Sequence, residues 1–213
     1  MTGFTDYSAQ RLLGHIVGKT SFTMPSTTAL ALFTAAGSDA GTGFTEVATG
    51  SYARVAVNSL WNAASGSAPS TITNSGSITF PAATANWGTI IAWGLYDATS
   101  AGNLLFWDYM GNFNWLPFTC TSASPGVLSS PAHGFSNGDS VVASGGEYGG
   151  TLPTTGGSWA GLLTVAGVTT DTFNVSVNTT STGDGLIRKV ASQAINTGVT
   201  ASFAASTLTL SLA

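Results

Sequence analysis

Of the chain's 213 residues only 5 are Lys or Arg and 9 are Asp or Glu, so 7% is charged where an ordinary soluble domain carries about 25%. With 43% hydrophobic residues and a mean hydropathy of +0.28, intrinsic disorder is excluded, since a disordered chain combines low hydrophobicity with high net charge. A net charge of -4, with Arg11, Lys19, Arg54, Arg188 and Lys189 as the cations, leaves too little positive charge to neutralise a nucleic-acid backbone, and no apolar run reaches the ~18 residues of a spanning helix.

Met1 to Gln10 carries Asp6 and no cation, and no apolar segment with a small-residue cleavage site comes after it. A Sec-type export signal is therefore not expected, which fits synthesis in a host cytoplasm. From Phe4 to Thr20, Tyr7, Leu12, Leu13, Ile16 and Val17 recur near a 3.6-residue period, predicting one amphipathic helix packed on the core. Thr5 or Asp6 is its expected cap and Gly18 its stop.

Downstream the texture changes to short β-branched and aromatic runs separated by Gly, Ser, Asn and Pro. Strands are expected at Thr28 to Ala35, Tyr52 to Val57, Ser77 to Phe80, Trp87 to Asp97, Asn103 to Met110 and Thr207 to Leu212. Trp87 to Met110 reads as a hairpin turning at Ala98 to Gly102. Thr207 to Leu212 alternates Leu with hydroxyl residues, the pattern of a half-buried antiparallel strand.

Between Phe118 and Arg188 the pieces HGFSNGD, GGTLPTTGG and DTFNVSV have a grammar of their own. Short strands are expected at Ser140 to Ala143, Leu162 to Val165 and Thr172 to Val177. Turns are expected at Asn137-Gly138, Gly145-Gly146 and Gly156-Gly157. The expected fold class is mainly β: an antiparallel β-sandwich or jelly-roll-like core with one N-terminal helix, plus a small inserted β domain. The boundaries are residues 1–111 with 190–213 for the core and 112–189 for the insertion.

The segments FTDYSAQRLLGHIVG, ALALFTA, GTGFTEVATGSYARVAV, ITFPAATANWGTIIAWGLYDATSAGNLLFW and INTGVTASFAASTLTLSL together resemble small tailed-bacteriophage virion structural proteins, of the tail-fibre-like or capsid decoration-like kind. The most specific pieces are Tyr52-Ala53-Arg54, Trp87-Gly88-Thr89, Leu95-Tyr96-Asp97-Ala98 and the closing Gly198 to Leu212. The block from Asn112 to Lys189 departs from that pattern, and its HGFSNGD, GGTLP and DTFNV pieces resemble a short β module of phage structural proteins. The resemblance implies virion location and a mostly β fold, and it carries no catalytic residues to transfer.

Chemistry-bearing residues are few. His15 reads as a helix-face histidine packed under a sheet. His133 with Asp139 and Ser136 or Ser140 has the residue types of a hydrolase triad, but a Gly-rich β-turn accounts for the same spacing and no G-x-S-x-G elbow is present. Asp39, Asp97, Asp171 and Asp184 stand in loops where Asp bonds backbone amides, and no calcium-loop run of acids occurs. Cys120 is the single cysteine, which excludes an intrachain disulfide and CxxC metal sites. No catalytic residue, cofactor or metal is expected.

Among the six tryptophans, Trp87, Trp93 and Trp107 are assigned to the core by hairpin alternation. Trp115, Tyr148 and Trp159, at the edges of the insertion, are the candidate surface or interface contacts. The function expected is a non-enzymatic virion protein, read first as a homotrimeric cement protein on the capsid shell. The alternative is a tail-fibre or host-attachment protein. The partners in either case are other virion proteins and further copies of the chain.

Overall fold

The structure, a computed structural model, describes residues 3–23, 25–66, 69–111, 113–145, 151–154 and 159–212. Among the described residues it is mainly β, with antiparallel sheets and one helix at Asp6–Ile16. The chain divides into two compact units, Phe113–Ala191 and Thr2–Asn112 with Ser192–Ala213.

In the discontinuous unit, Ala29–Ala35 is the central strand. On one side it pairs with Ala92–Tyr96, which pairs with Leu104–Tyr109, and Gly3–Phe4 lies beyond. On the other side it meets Thr45–Glu46 and Val55–Ala56. Ala29 to Phe33 is buried without alternation, as a strand covered on both faces requires.

The expected long strand from Trp87 is divided at Ile91. Gly88–Ile90 pairs with Gln193–Ile195, whereas Ala92–Tyr96 joins the central sheet. The C-terminal segment then retraces the middle of the chain in reverse: Thr200–Phe203 pairs with Ile78–Ala82, and Thr209–Leu212 with Ser70–Thr73. These ribbons deliver Ile78, Phe80, Ile90, Ile195, Leu208 and Leu210 to one core with Leu30, Leu32, Trp93 and Phe106. Leu208 and Leu210 are buried while Ser211 is exposed, as the alternation in the last strand demands.

The helix begins as its sequence dictates. Thr5 is its N-cap, with Oγ1 accepting from Ser8 N at 3.4 Å and donating to Leu104 O at 2.5 Å. Gly18 closes it at φ +68, donating to His15 O at 3.1 Å, the left-handed stop glycine adopts without a Cβ penalty. Its packing differs from expectation. Ser8 is the buried residue of the helix, and Leu13, Ile16 and Val17 are 64%, 70% and 66% exposed. The Gly3–Phe4 pairing and the buried Thr5 tie down the first turn alone, so the apolar positions of the last turns face solvent.

The other unit is a closed six-stranded antiparallel barrel. Leu116–Cys120, Val127–Ser129, Thr172–Val175, Leu163–Ala166, Ser140–Ser144 and Gly183–Lys189 succeed one another around it, the last returning to the first. Alternate residues point inward, so Phe118, Cys120, Leu128, Val141, Val165, Phe173 and Ile187 fill the interior. Gly138, at φ +90, donates to Val165 O at 2.8 Å in the Asn137-Gly138 turn. The expected turns at Gly145-Gly146 and Gly156-Gly157 fall outside the described residues, wholly for the second and at Gly146 for the first.

Candidate functional site

The densest polar constellation lies in the discontinuous unit and gathers the pieces that carried the phage resemblance. Glu46 receives Arg54 through two bonds, Nε to Oε1 at 2.8 Å and Nη2 to Oε2 at 2.7 Å. The two side chains retain 25% and 10% exposure. The remaining guanidinium nitrogen, Nη1, donates to Ala101 O at 2.6 Å and Ala98 O at 3.3 Å, fixing the hairpin loop. The guanidinium plane also lies 3.4 Å from the centre of the Tyr96 ring, a cation–π contact.

Tyr52 Oη donates to Glu46 Oε1 and accepts from Leu32 N, both at 2.9 Å. Burial pushes this phenol well above its ordinary value of 10.0, and the neighbouring Glu46 acts in the same direction. For Arg54, burial acts downward, but the hydrogen bonds and charge of Glu46 outweigh it and hold the guanidinium more firmly protonated. Trp87 packs edge-on against Tyr52 at 5.4 Å and donates from Nε1 to Gly50 O at 2.9 Å. Each polar group here is committed to another part of the same unit. Such an arrangement fixes loop geometry; it has no exposed nucleophile with a base beside it, as nucleophilic catalysis requires.

Glu46 was not singled out by sequence reasoning. The signal available was weak: a lone acid eight residues before the lone arginine of its region, in a chain with few charges to pair.

His133 and Asp139 are separately engaged within the barrel unit. His133 is 6% exposed, its Nδ1 accepts from Phe135 N at 2.9 Å, and its ring packs against Phe135 and Phe173. Nε2 has no hydrogen-bond partner among the described residues. Asp139 accepts from Ser136 N at 2.8 Å and pairs with Lys189 Nζ at 2.7 Å. Burial raises its carboxyl, yet the Lys189 and Ser136 hydrogen bonds prevail and hold it below the ordinary range. The acid thus closes a turn and anchors a strand, and orients no imidazole.

His15 is exposed, with Nδ1 accepting from Phe22 N at 3.2 Å; the expectation of a histidine under a sheet is corrected, because the helix end it occupies covers no sheet. Trp115 is half-buried. Trp159 is also half-buried, packs on the barrel core near Phe118 at 6.0 Å, and donates to Pro153 O at 2.8 Å. Tyr148 lies outside the described residues. Trp87, Trp93 and Trp107 are buried, and Trp107 Nε1 donates to Asp39 Oδ1 at 2.9 Å.

The loop acids hold distant segments: Asp171 accepts from Ala132 N at 3.0 Å, and Asp184 from Thr151 N at 2.9 Å. Among the described residues no three His, Cys, Asp or Glu side chains gather as a metal site. Burial pushes the Cys120 thiol up, away from the thiolate that a reactive cysteine needs. No described helix is long and apolar enough to cross a membrane.

A family model described as podophage GP4 fiber I protein gp80 matches residues 3–113, just over half of the chain. The chain belongs to that family, and is accordingly a fibre-type structural protein of a phage virion. The match ends where the barrel unit begins, at Phe113. No curated protein matches the chain.

Proposed function

We propose that this member of the podophage fibre family is a non-enzymatic building block of the phage fibre apparatus, presenting its inserted barrel as an added module on the family scaffold. The observation that supports this reading most is the commitment of Tyr52, Arg54, Trp87 and Tyr96, the residues that carry the family resemblance, to internal bonding. Their work is to set a shape. A low-charge surface then forms interfaces with little ion desolvation, and assembly with further copies, as a trimer, is part of the proposal.

The capsid-cement role expected first from the sequence has less support than the fibre role, because the family match names a fibre protein. Immunogold labelling of intact particles with antibody to this chain separates the readings. Label on the fibres is expected. Label spread over the shell would restore the cement role, and particles without label would reject virion membership.

A further inference from the structure

We propose that a recess beside the N-terminal helix is a carbohydrate-binding site that takes a saccharide ring through its vicinal hydroxyls. The recess, about 410 Å³, is lined by Tyr7, Arg11, Phe22, Thr23, Ser26 and Asp97 among others, and its size falls within the ~300–1,000 Å³ of small-molecule sites. Its walls are held from outside. The Asp97 loop is clamped by Arg54 at Ala98 and Ala101. The opposite wall is pinned by Phe22 N on His15 Nδ1 at 3.2 Å and by Asn58 Nδ2 on Ser26 O at 2.8 Å. The Arg54 clamp and the Asn58 bond to Ser26 lower the ordering cost that a ligand would otherwise meet.

The charges select the ligand class. Arg11 lies 5.4 Å from the Tyr7 ring and makes no ion pair or hydrogen bond among the described residues, in a chain where Arg54 and Lys189 are both salt-bridged. Asp97 accepts from Asn103 N at 2.6 Å and Asn103 Nδ2 at 2.8 Å. That uses one lone pair on each carboxylate oxygen and leaves the others open. A guanidinium and a carboxylate thus line one recess without closing on each other. An anion would meet Arg11 but be repelled by Asp97, and a cation the reverse; an apolar ligand would bond neither the exposed Arg11 nor the half-buried Asp97. Vicinal hydroxyls accept from the first and donate to the second, while the half-buried Tyr7 and Phe22 offer apolar surface to the C–H face of a ring.

This goes beyond the virion reading and does not depend on it, because binding is read on the purified full chain wherever it sits in a particle. Saturation-transfer NMR with millimolar glucose, galactose, N-acetylglucosamine and glucuronic acid should give transfer to at least one sugar and none to glycine, a zwitterion carrying both charges but no hydroxyl. Arg11→Gln should weaken binding roughly tenfold or more, the loss of a charge-assisted hydrogen bond, and Asp97→Asn should weaken it as well. Lys19→Gln, an exposed cation outside the recess, should leave it unchanged. Should Asp97→Asn unfold, Arg11→Gln still carries the test, since its side chain holds no structural hydrogen bond. Absence of transfer from every sugar, equal transfer from glycine, or undiminished binding in Arg11→Gln would overturn the site.

Discussion

Arg54 joins four groups that would otherwise lose a buried partner: both oxygens of Glu46 and the carbonyls of Ala98 and Ala101. Removing one member of a buried pair leaves the other charge uncompensated, at about 3–5 kcal/mol. Glu46 keeps 25% exposure, so Arg54→Leu should fall near the lower end, about 3 kcal/mol, read as a shift in the urea midpoint at unchanged slope. A loss within experimental error would mean that the cluster is ornamental. In the barrel, the sign for Asp139 is set by its depressed carboxyl. A folded-state value below the ordinary 3.8 stabilises the fold above that pH, and the contribution disappears as pH falls from 3.8 through the folded value. The stability difference between the parent protein and Asp139→Asn should therefore be constant near neutrality and shrink on acidification below pH 3.8; a difference that grows in acid would contradict the Lys189 pairing.

At the scale of elements, the helix separates into an anchored start and a free end. Thr5→Ala removes a cap whose hydroxyl also bonds Leu104 O, and about 1–2 kcal/mol of stability should go with it. Ile16→Ser and Val17→Ser, at positions 70% and 66% exposed, should each change the unfolding free energy, read from thermal melts, by no more than the ~0.5 kcal/mol typical of surface sites. A core-sized loss at either would mean that the helix end is covered. The helix and its two ends were legible because capping and the αL stop are local chemistry, written in Thr5 and Gly18. Which face it buries was not legible: periodicity gives an apolar stripe, but the Gly3–Phe4 pairing that decides where the helix stands is set about 100 residues away. The same holds for Ile91. Ile91, Trp93 and Leu95 alternate with Ala92, Gly94 and Tyr96, which does not show where the strand begins, and the pairing of Gln193–Ile195 with Gly88–Ile90 divides it. Gly183–Lys189 escaped notice because two glycines and Asp184 hide its β pattern, and the closure of the barrel supplies the partners its composition does not advertise. The Glu46–Arg54 pair was equally hidden, since pairing of charges across strands is a product of register.

At the scale of the molecule, the chain leaves one unit and returns to it at neighbouring points. Met110 N donates to Ile91 O at 2.8 Å, and Gln193 pairs with Ile90, so the two ends of the intervening segment lie beside consecutive residues. Closing such a gap needs few residues, and loop entropy rises only slowly with length. The unit also depends on the C-terminal segment beyond the barrel, because Ile195, Leu208 and Leu210 are part of its core. Replacing residues 113–191 with a short Gly/Ser linker should accordingly leave a protein with a single cooperative unfolding transition, whereas ending the chain at Asn112 should abolish it by stripping those three side chains and three strand pairings. The excised segment 113–191 should fold alone, since a closed barrel has its own interior and no free edge to satisfy. Calorimetry of the three proteins decides the matter: a linker-joined core without a cooperative transition, or a chain ending at Asn112 that unfolds like the parent, would show that the pairing of the C-terminal strands with residues 70–90 is not what holds this unit together.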